Sequence, residues 1–216
     1  GSDKADRLRQ SMESWLKEQH NDPYACAKLG ALEVSDGNRE RGLSLLRRGL
    51  EQLPEGDDCS AERYELLLNL GIALASEDGD AAVQCYREAL KLPLETRLSL
   101  GARLNLAALL MQRNELEEAI QLTTTACQRA PEVALAWYNL GLMERRRGDL
   151  LAAIKAYERS LSINPSHAES HQNLAVARLM GGDIDGARTG FRQAITLLRS
   201  QERQDEATAL HAQVHG

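Results

Sequence analysis

"AWYNLGLMERRRGD", residues 136–149, places Asn139, a poor helix former, in the middle of a run patterned as a helix. The same word recurs along the chain. "LLNLGIAL" carries Asn69, "RLNLAALL" carries Asn105 and "HQNLAVAR" carries Asn173. Asn costs a helix interior roughly 0.5–0.7 kcal/mol relative to Ala. A residue that carries this cost and returns at one place marks a repeat, the signal to be read before any other. The words are spaced by 36, 34 and 34 residues.

The clearest unit, 134–167, reads Trp137, Leu140-Gly141, Gly148-Asp149, Ala153, Tyr157, Ser160 and Pro165. The next, 168–201, has His171, Leu174-Ala175, Gly182-Asp183, Ala187, Phe191 and Ala194 in equivalent places. Upstream, 100–133 matches through Leu106-Ala107, Ala119, Ala126 and Pro131, and 23–56 through Leu29-Gly30, Gly37-Asn38, Gly42, Gly49 and Pro54. Unit 64–99 is less regular, with Leu70-Gly71, Ala82, Tyr86, Ala89 and Pro93, a shortened corner at 77–80 and extra residues after Pro93. Residues 57–63 read as an insert before it.

The physical content of this pattern is a helical hairpin. Gly148 suits the left-handed conformation that closes a first helix, and Asp149 the cap that opens a second. Asn114 with Glu117 reads as a capping box at the same corner. Gly141 and Ala153 let the paired helices approach, Trp137 and Tyr157 fill the space beside them, and Pro165 ends the second helix. One hairpin cannot bury its apolar stripe alone, so successive hairpins stack.

These residues resemble the tetratricopeptide repeat (TPR) family over about residues 23–201. Unit 134–167 meets nearly every signature position, whereas Gly42 stands for the usual Ala, Thr123 for the aromatic and Arg199 for the closing Pro. The resemblance implies an all-α, right-handed α-solenoid of about five hairpins, in units 23–56, 64–99, 100–133, 134–167 and 168–201, with a concave groove lined by first helices. Residues 1–22 comprise a Gly1-Ser2 cloning scar and a capping helix with Leu8, Met12, Trp15 and Leu16 on one face. Residues 202–216, with Ala207, Leu210 and Val214 at helical spacing, read as a second capping helix, either separate from or continuous with the one before it, or as a tail.

Composition limits the chemistry. The balance is acidic, 32 Asp+Glu against 26 Lys+Arg, with dispersed cations, which argues against nucleic acid. Apolar runs are too short to span a bilayer, so the expectation is a cytoplasmic protein or the soluble part of a membrane-anchored one. The four cysteines, Cys26, Cys59, Cys85 and Cys127, lie far apart, which supports neither a disulfide framework nor a zinc site. His167/His171 and His211/His215 have metal-compatible i, i+4 spacing, but Ala212 stands where a zincin has Glu, and His171 stands where the neighbouring repeat packs Trp137. No nucleophile–base pair or phosphate loop emerges. The expectation is a non-enzymatic chain without metal or cofactor.

TPR co-chaperones that clamp acidic chaperone tails carry Lys and Asn in a fixed pattern across three repeats. Here the corresponding positions hold Ala27, Ala31, Asn69, Gly101 and Asn105 in one frame, and Leu104, Ala108, Asn139, Glu169 and Asn173 in another, so that clamp is absent. The pattern is instead similar to the asparagine ladder of O-linked N-acetylglucosamine transferases. The resemblance implies groove-facing Asn69, Asn105, Asn139 and Asn173, with Lys28 in the first repeat. Around them the lining would be Leu68, Ile72, Leu104, Ala108, Tyr138, Leu142 and Val176. Arg145 and Arg146 either complement a helix dipole with Arg147 or receive an acidic group. The implied function is a scaffold holding a peptide segment of a partner protein. The rivals are an assembly factor for a membrane complex of photosystem or pilus type, and the docking segment of a larger enzyme such as a glycosyltransferase. Homo-oligomers formed by end-to-end stacking stay open.

Overall fold

The structure, a computed structural model, describes residues 2–54, 56–95 and 97–215, the side chains of Ser2, Asp3, Asp57 and His215 excepted. Among the described residues there are twelve α-helices and no strand. They are α1 (Ser2–Glu18), α2 (Pro23–Ser35), α3 (Arg39–Gln52), α4 (Ser60–Leu74), α5 (Gly79–Lys91), α6 (Leu100–Gln112), α7 (Leu116–Arg129), α8 (Ala134–Arg147), α9 (Leu150–Ile163), α10 (Ala168–Met180), α11 (Ile184–Ser200) and α12 (Gln204–His215). None of them is long and apolar enough to cross a membrane. They fall into two compact units, residues 1–109 and 110–216, divided within α6.

Each unit is a stack of helical hairpins, the α-solenoid arrangement. In the first, α2 pairs with α3 and α4 with α5, and α3 packs on α4. In the second, α8 pairs with α9 and α10 with α11, and α9 packs on α10. Aspartates open four of these helices. Asp22, Asp78, Asp149 and Asp183 accept the backbone N–H three residues on, from Ala25, Ala81, Ala152 and Gly186, at 2.8, 3.0, 2.9 and 2.9 Å. Each such cap contributes about 1 kcal/mol. Gly148 closes α8 at φ 95°, as its place in the corner requires.

The corner before α7 differs from the capping box expected there. Asn114 has φ 64° and so fills the position of Gly148, while Glu115 precedes the helix without a side-chain cap bond. Asn is the side chain that best tolerates this conformation, which is why the corner dispenses with glycine. The expected 57–63 insert also contracts. A 3-10 turn covers Asp57–Cys59, and from Ser60 the residues extend the first turn of α4.

Close approach within hairpins rests on glycine against tyrosine. A Cβ on Gly141 would lie 2.5 Å from Tyr157 Cε1, and one on Gly71 would lie 2.4 Å from Tyr86 Cε1. Both rings are buried, and full burial of a large side chain stabilises by roughly 1.5–3 kcal/mol. Thr123 takes the ring's place in the repeat between them, buried and donating to Ala119 O at 2.9 Å.

The ends are covered. Met12 and Leu16 of α1 pack on Cys26, Leu29 and Leu45, but Leu8 and Trp15, expected beside them, are 37 % and 50 % exposed. Arg9 takes that flank instead, pairing with the buried Glu33 and with Asp36. At the other end Glu202 breaks the chain at φ 62°, so α12 is a separate helix rather than an extension of α11. Ala207 and Leu210 are buried against Phe191, Ala194 and Leu198, with Val214 alongside.

Candidate functional site

The asparagine words lie in α4, α6, α8 and α10, with Asn105, Asn139 and Asn173 one and a half turns into their helices and Asn69 deeper in the extended α4, and all four Asn side chains are half-buried. Two of them show how a helix interior accommodates Asn. Asn69 donates to the carbonyl of Glu65, and Asn173 to that of Glu169, both at 2.9 Å and one turn back. The amide N–H is thereby satisfied locally at the expense of a shared acceptor. Asn105 and Asn139 make no side-chain hydrogen bond among the described residues, so both functions of each amide remain open.

In the second unit, α8 and α10 present neighbouring faces joined by one polar cluster. Asn173 Nδ2 donates to the Tyr138 hydroxyl at 3.2 Å, and Arg145 Nη2 donates to Asn173 Oδ1 at 3.3 Å. Tyr138 lies 4.9 Å edge-on to the His167 ring, and with Leu142 packs against Tyr157, Leu174 and Ala177. Arg145 is half-buried, and its Nε is shielded from solvent without an acceptor. The Tyr157 hydroxyl beside it is also buried and unpartnered. Burial pushes the Tyr157 hydroxyl up, opposed by the Arg145 guanidinium. Burial likewise raises Tyr138, with Glu169 adding to the effect and Arg145 opposing it.

Glu169, on the same face, is committed elsewhere. Glu169 Oε1 pairs with Arg203 at 2.7 Å, and its Oε2 lies 3.4 Å from His167 Nε2. Burial works against its charge, but its own backbone N–H and Arg203 hold the Glu169 carboxyl below the usual range. Of the basic run, Arg145 therefore faces Asn173, Arg146 is exposed, and Arg147 turns to the buried Glu144 at 2.6 Å. Val176 is half-buried and lines a separate apolar depression with Leu179, Ile184, Phe191 and Val214.

In the first unit, α2 and α4 form the corresponding pair. Lys28 Nζ lies 2.5 Å from Glu65 Oε1 and 5.3 Å over the Tyr24 ring. Glu65 and Glu169 occupy equivalent places, each four residues before an Asn. Leu68 lines a shallow apolar depression with Tyr64, Leu94 and Leu98, and Ile72 is exposed. Leu104, expected to line the groove, is only 8 % exposed and belongs to the core. Helix α6 is apolar at most positions, Arg103 and Asn105 being its polar residues before the last turn, and a helix so patterned is largely covered.

Both histidines of the first pair meet protein oxygens. His171 Nε2 meets the Pro165 carbonyl at 2.9 Å, repeating the bond of Trp137 Nε1 to Pro131 O at 3.0 Å. His167 Nδ1 meets Ser170 Oγ at 2.7 Å. The side chain of His215 lies outside the described residues. No cluster of three or more metal-ligating side chains occurs among the described residues. Burial raises the Cys127 thiol to about 12, beyond the range of a reactive thiolate. Sequence reading missed Glu169, Arg203 and the Tyr157 hydroxyl. Their signal was faint, because each acts across a repeat boundary or from beneath the face.

Tetratricopeptide repeat profiles match residues 72–132 and 132–200. A TPR repeat-containing protein of Synechococcus elongatus is 36% identical over 192 residues, covering 88% of this chain and 47% of that protein. FlbA of Caulobacter vibrioides is 29% identical over 178 residues, 76% of this chain and 29% of its own length. The chain thus spans less than half the length of these relatives. Among solved structures, MamA of Desulfovibrio magneticus RS-1 superposes with a TM-score of 0.69 at 25% identity, over 83% of this chain and 96% of that one. YrrB, described as a TPR protein with an unusual peptide-binding site, gives 0.66 at 17% identity over 93% and 99%, a likeness of fold alone.

Proposed function

The chain belongs to the tetratricopeptide repeat family, and from that premise we infer that it is a non-enzymatic interaction module whose α8–α10 face takes a carboxylate-bearing peptide segment of a partner protein. The repeat fold itself supports a protein-interaction scaffold. One observation carries the finer reading: Arg145 is a half-buried cation that meets the neutral Asn173 amide and lies against the Tyr157 hydroxyl, with no carboxylate paired to it among the described residues. A charge withdrawn from water without a counter-ion is unfavourable, and a guanidinium is the side chain best shaped to receive a carboxylate. Asn139 adds an open amide able to pair with a peptide backbone whatever its side chains, and Tyr138 and Leu142 supply apolar surface beside it. Arg146, exposed next to Arg145, draws acidic segments toward the face. The peptide-binding property of YrrB agrees with this reading by analogy of fold only.

The test compares peptides selected by display on the full chain, each synthesised with a free C-terminal carboxylate, with that group amidated, and with internal acids changed to amides. Calorimetric titration should find tight binding for at least one acidic form and roughly ten-fold or greater loss when that acid is neutralised. Equal binding of charged and neutral forms would overturn the role given to Arg145.

A further inference from the structure

Between the cap helix α1 and helix α3 lies a depression of about 580 Å³, within the first unit. Its polar wall carries Lys17, His20, Ser44 and Arg48, and its apolar part is made by Leu16, Leu29 and Leu45. In a chain with a net charge of −6, this is an unusual concentration of cations. Glu13 is the single carboxylate in the lining, and it is engaged by Arg41 at 2.8 Å. Lys17, His20 and Arg48 make no side-chain hydrogen bond or ion pair among the described residues. Arg48 Nε, moreover, is shielded from solvent with no acceptor. A shielded N–H without a partner is costly, and one on a charged group more so. The arrangement has the parts of an anion site: a fixed guanidinium donor, a flexible ammonium, a hydroxyl and an imidazole, set over leucine side chains.

We propose that this depression binds a carboxylate carried on a short aliphatic arm. The Arg48 guanidinium, through its outer N–H groups, and the Ser44 hydroxyl donate to the carboxylate, and Lys17 supplies a second positive charge from the rim. The arm lies on Leu16 and Leu45. Inorganic anions lack the arm and gain only the polar half of the site. The same chemistry is offered by two sources, the C-terminal residue of a protein ending in an aliphatic side chain and a free aliphatic acid. The site is separate from the α8–α10 face and does not depend on it.

The experiment uses the full chain labelled with 15N and follows the Arg48 Nε–H and Ser44 amide signals at constant ionic strength. Hexanoate and acetyl-Leu-Leu with a free carboxylate should both shift these signals saturably. Amidated acetyl-Leu-Leu and inorganic phosphate should bind at least ten-fold more weakly. Tighter binding of the dipeptide identifies a protein C-terminus as the source, and tighter binding of hexanoate a free acid. Arg48→Gln should weaken binding about ten-fold or more. Lys17→Gln, at an exposed position where folding is not at stake, should weaken it about two- to five-fold. Arg145→Gln should change nothing here, which keeps this result apart from the peptide reading. Shifts reproduced by sodium chloride alone, or unchanged affinity in both the Arg48 and Lys17 variants, would overturn the proposal.

Discussion

On the α2–α4 face Lys28 meets Glu65 at 2.5 Å, whereas on the α8–α10 face Arg145 meets the amide of Asn173, at 3.3 Å, and no carboxylate among the described residues. The acids that could neutralise these cations sit at equivalent positions, and each follows its own helix into the same local geometry. What separates the faces is a residue outside both. Arg203, placed by the break at Glu202, draws the Glu169 carboxylate to itself at 2.7 Å. One face closes its charge between its own two helices, while the other has its acid diverted toward the C-terminal cap and keeps a cation available. A repeat array can therefore acquire a site by removing a partner as well as by adding a ligand.

The comparison is most exposed to substitution of the two cations. Arg145→Gln should reduce affinity for an acidic peptide by about 10–100-fold, the range of a charge-assisted hydrogen bond, with little change in melting temperature. Lys28→Gln should leave that affinity unchanged and cost only about 0.2–1 kcal/mol of stability, as for other solvent-accessible pairs. Titration calorimetry and urea unfolding on both variants decide it. Similar binding losses in the two would erase the distinction between the faces.

The asparagines give a smaller contrast. Asn139→Ala should weaken peptide binding about 2–10-fold while folding holds or improves, since Ala is the better helix former. Asn69→Ala removes an amide whose N–H is already spent on Glu65, so its binding effect should be close to nil. Reversal of that order would show that an internally bonded asparagine is the one used.

Arg203→Gln probes the diversion itself. Released from Arg203, Glu169 becomes free to approach Arg145 and compete with an incoming carboxylate, so affinity should fall about two- to five-fold. An increase would mean that Glu169 does not reach the site. The gentlest test concerns Glu144, whose carboxyl burial pushes above the usual range, against the pull of Arg147. A raised carboxyl contributes stability that is complete below its unfolded value, near 4.3, and is lost as the pH climbs through the folded one. Glu144→Gln should accordingly flatten the decline in stability above about pH 4.3. A slope identical to that of the parent chain would assign the decline to other groups.

Much of the fold was legible because it is carried by local rules. Gly148 and Asp149 announce a corner, and the Gly–Tyr pairing announces a close crossing, within one repeat length. Asn114 misled because Asn serves equally as a cap and as a left-handed residue, a choice that only the backbone reveals. The site was less legible. Tyr138 and Arg145 could be placed near Asn173 by counting one repeat onward, but periodicity says nothing about which charges are already paired. Leu104 shared the position of Tyr138 yet was buried, because the helix carrying it is apolar at most positions and is largely covered. Leu8 and Trp15 were likewise outweighed by Arg9, whose partner Glu33 lies in a different helix.

The fit of Tyr157 onto Gly141, and of Tyr86 onto Gly71, also constrains how such a chain can change through time. The intervening repeat carries Ala107 and Thr123 at the same two places, a small ring substitute accompanied by a larger neighbour. Repeat 168–201 combines Ala175 with Phe191 at these places, so a methyl and a ring can share a hairpin, whereas a methyl added at Gly141 or Gly71 as those hairpins stand would strike the tyrosine ring. Overpacking of this kind costs roughly 1–3 kcal/mol, a large share of the margin that most domains possess. In the hairpins of Tyr86 and Tyr157 the two positions are thus coupled, and replacing either glycine alone should cost more than replacing it together with its ring.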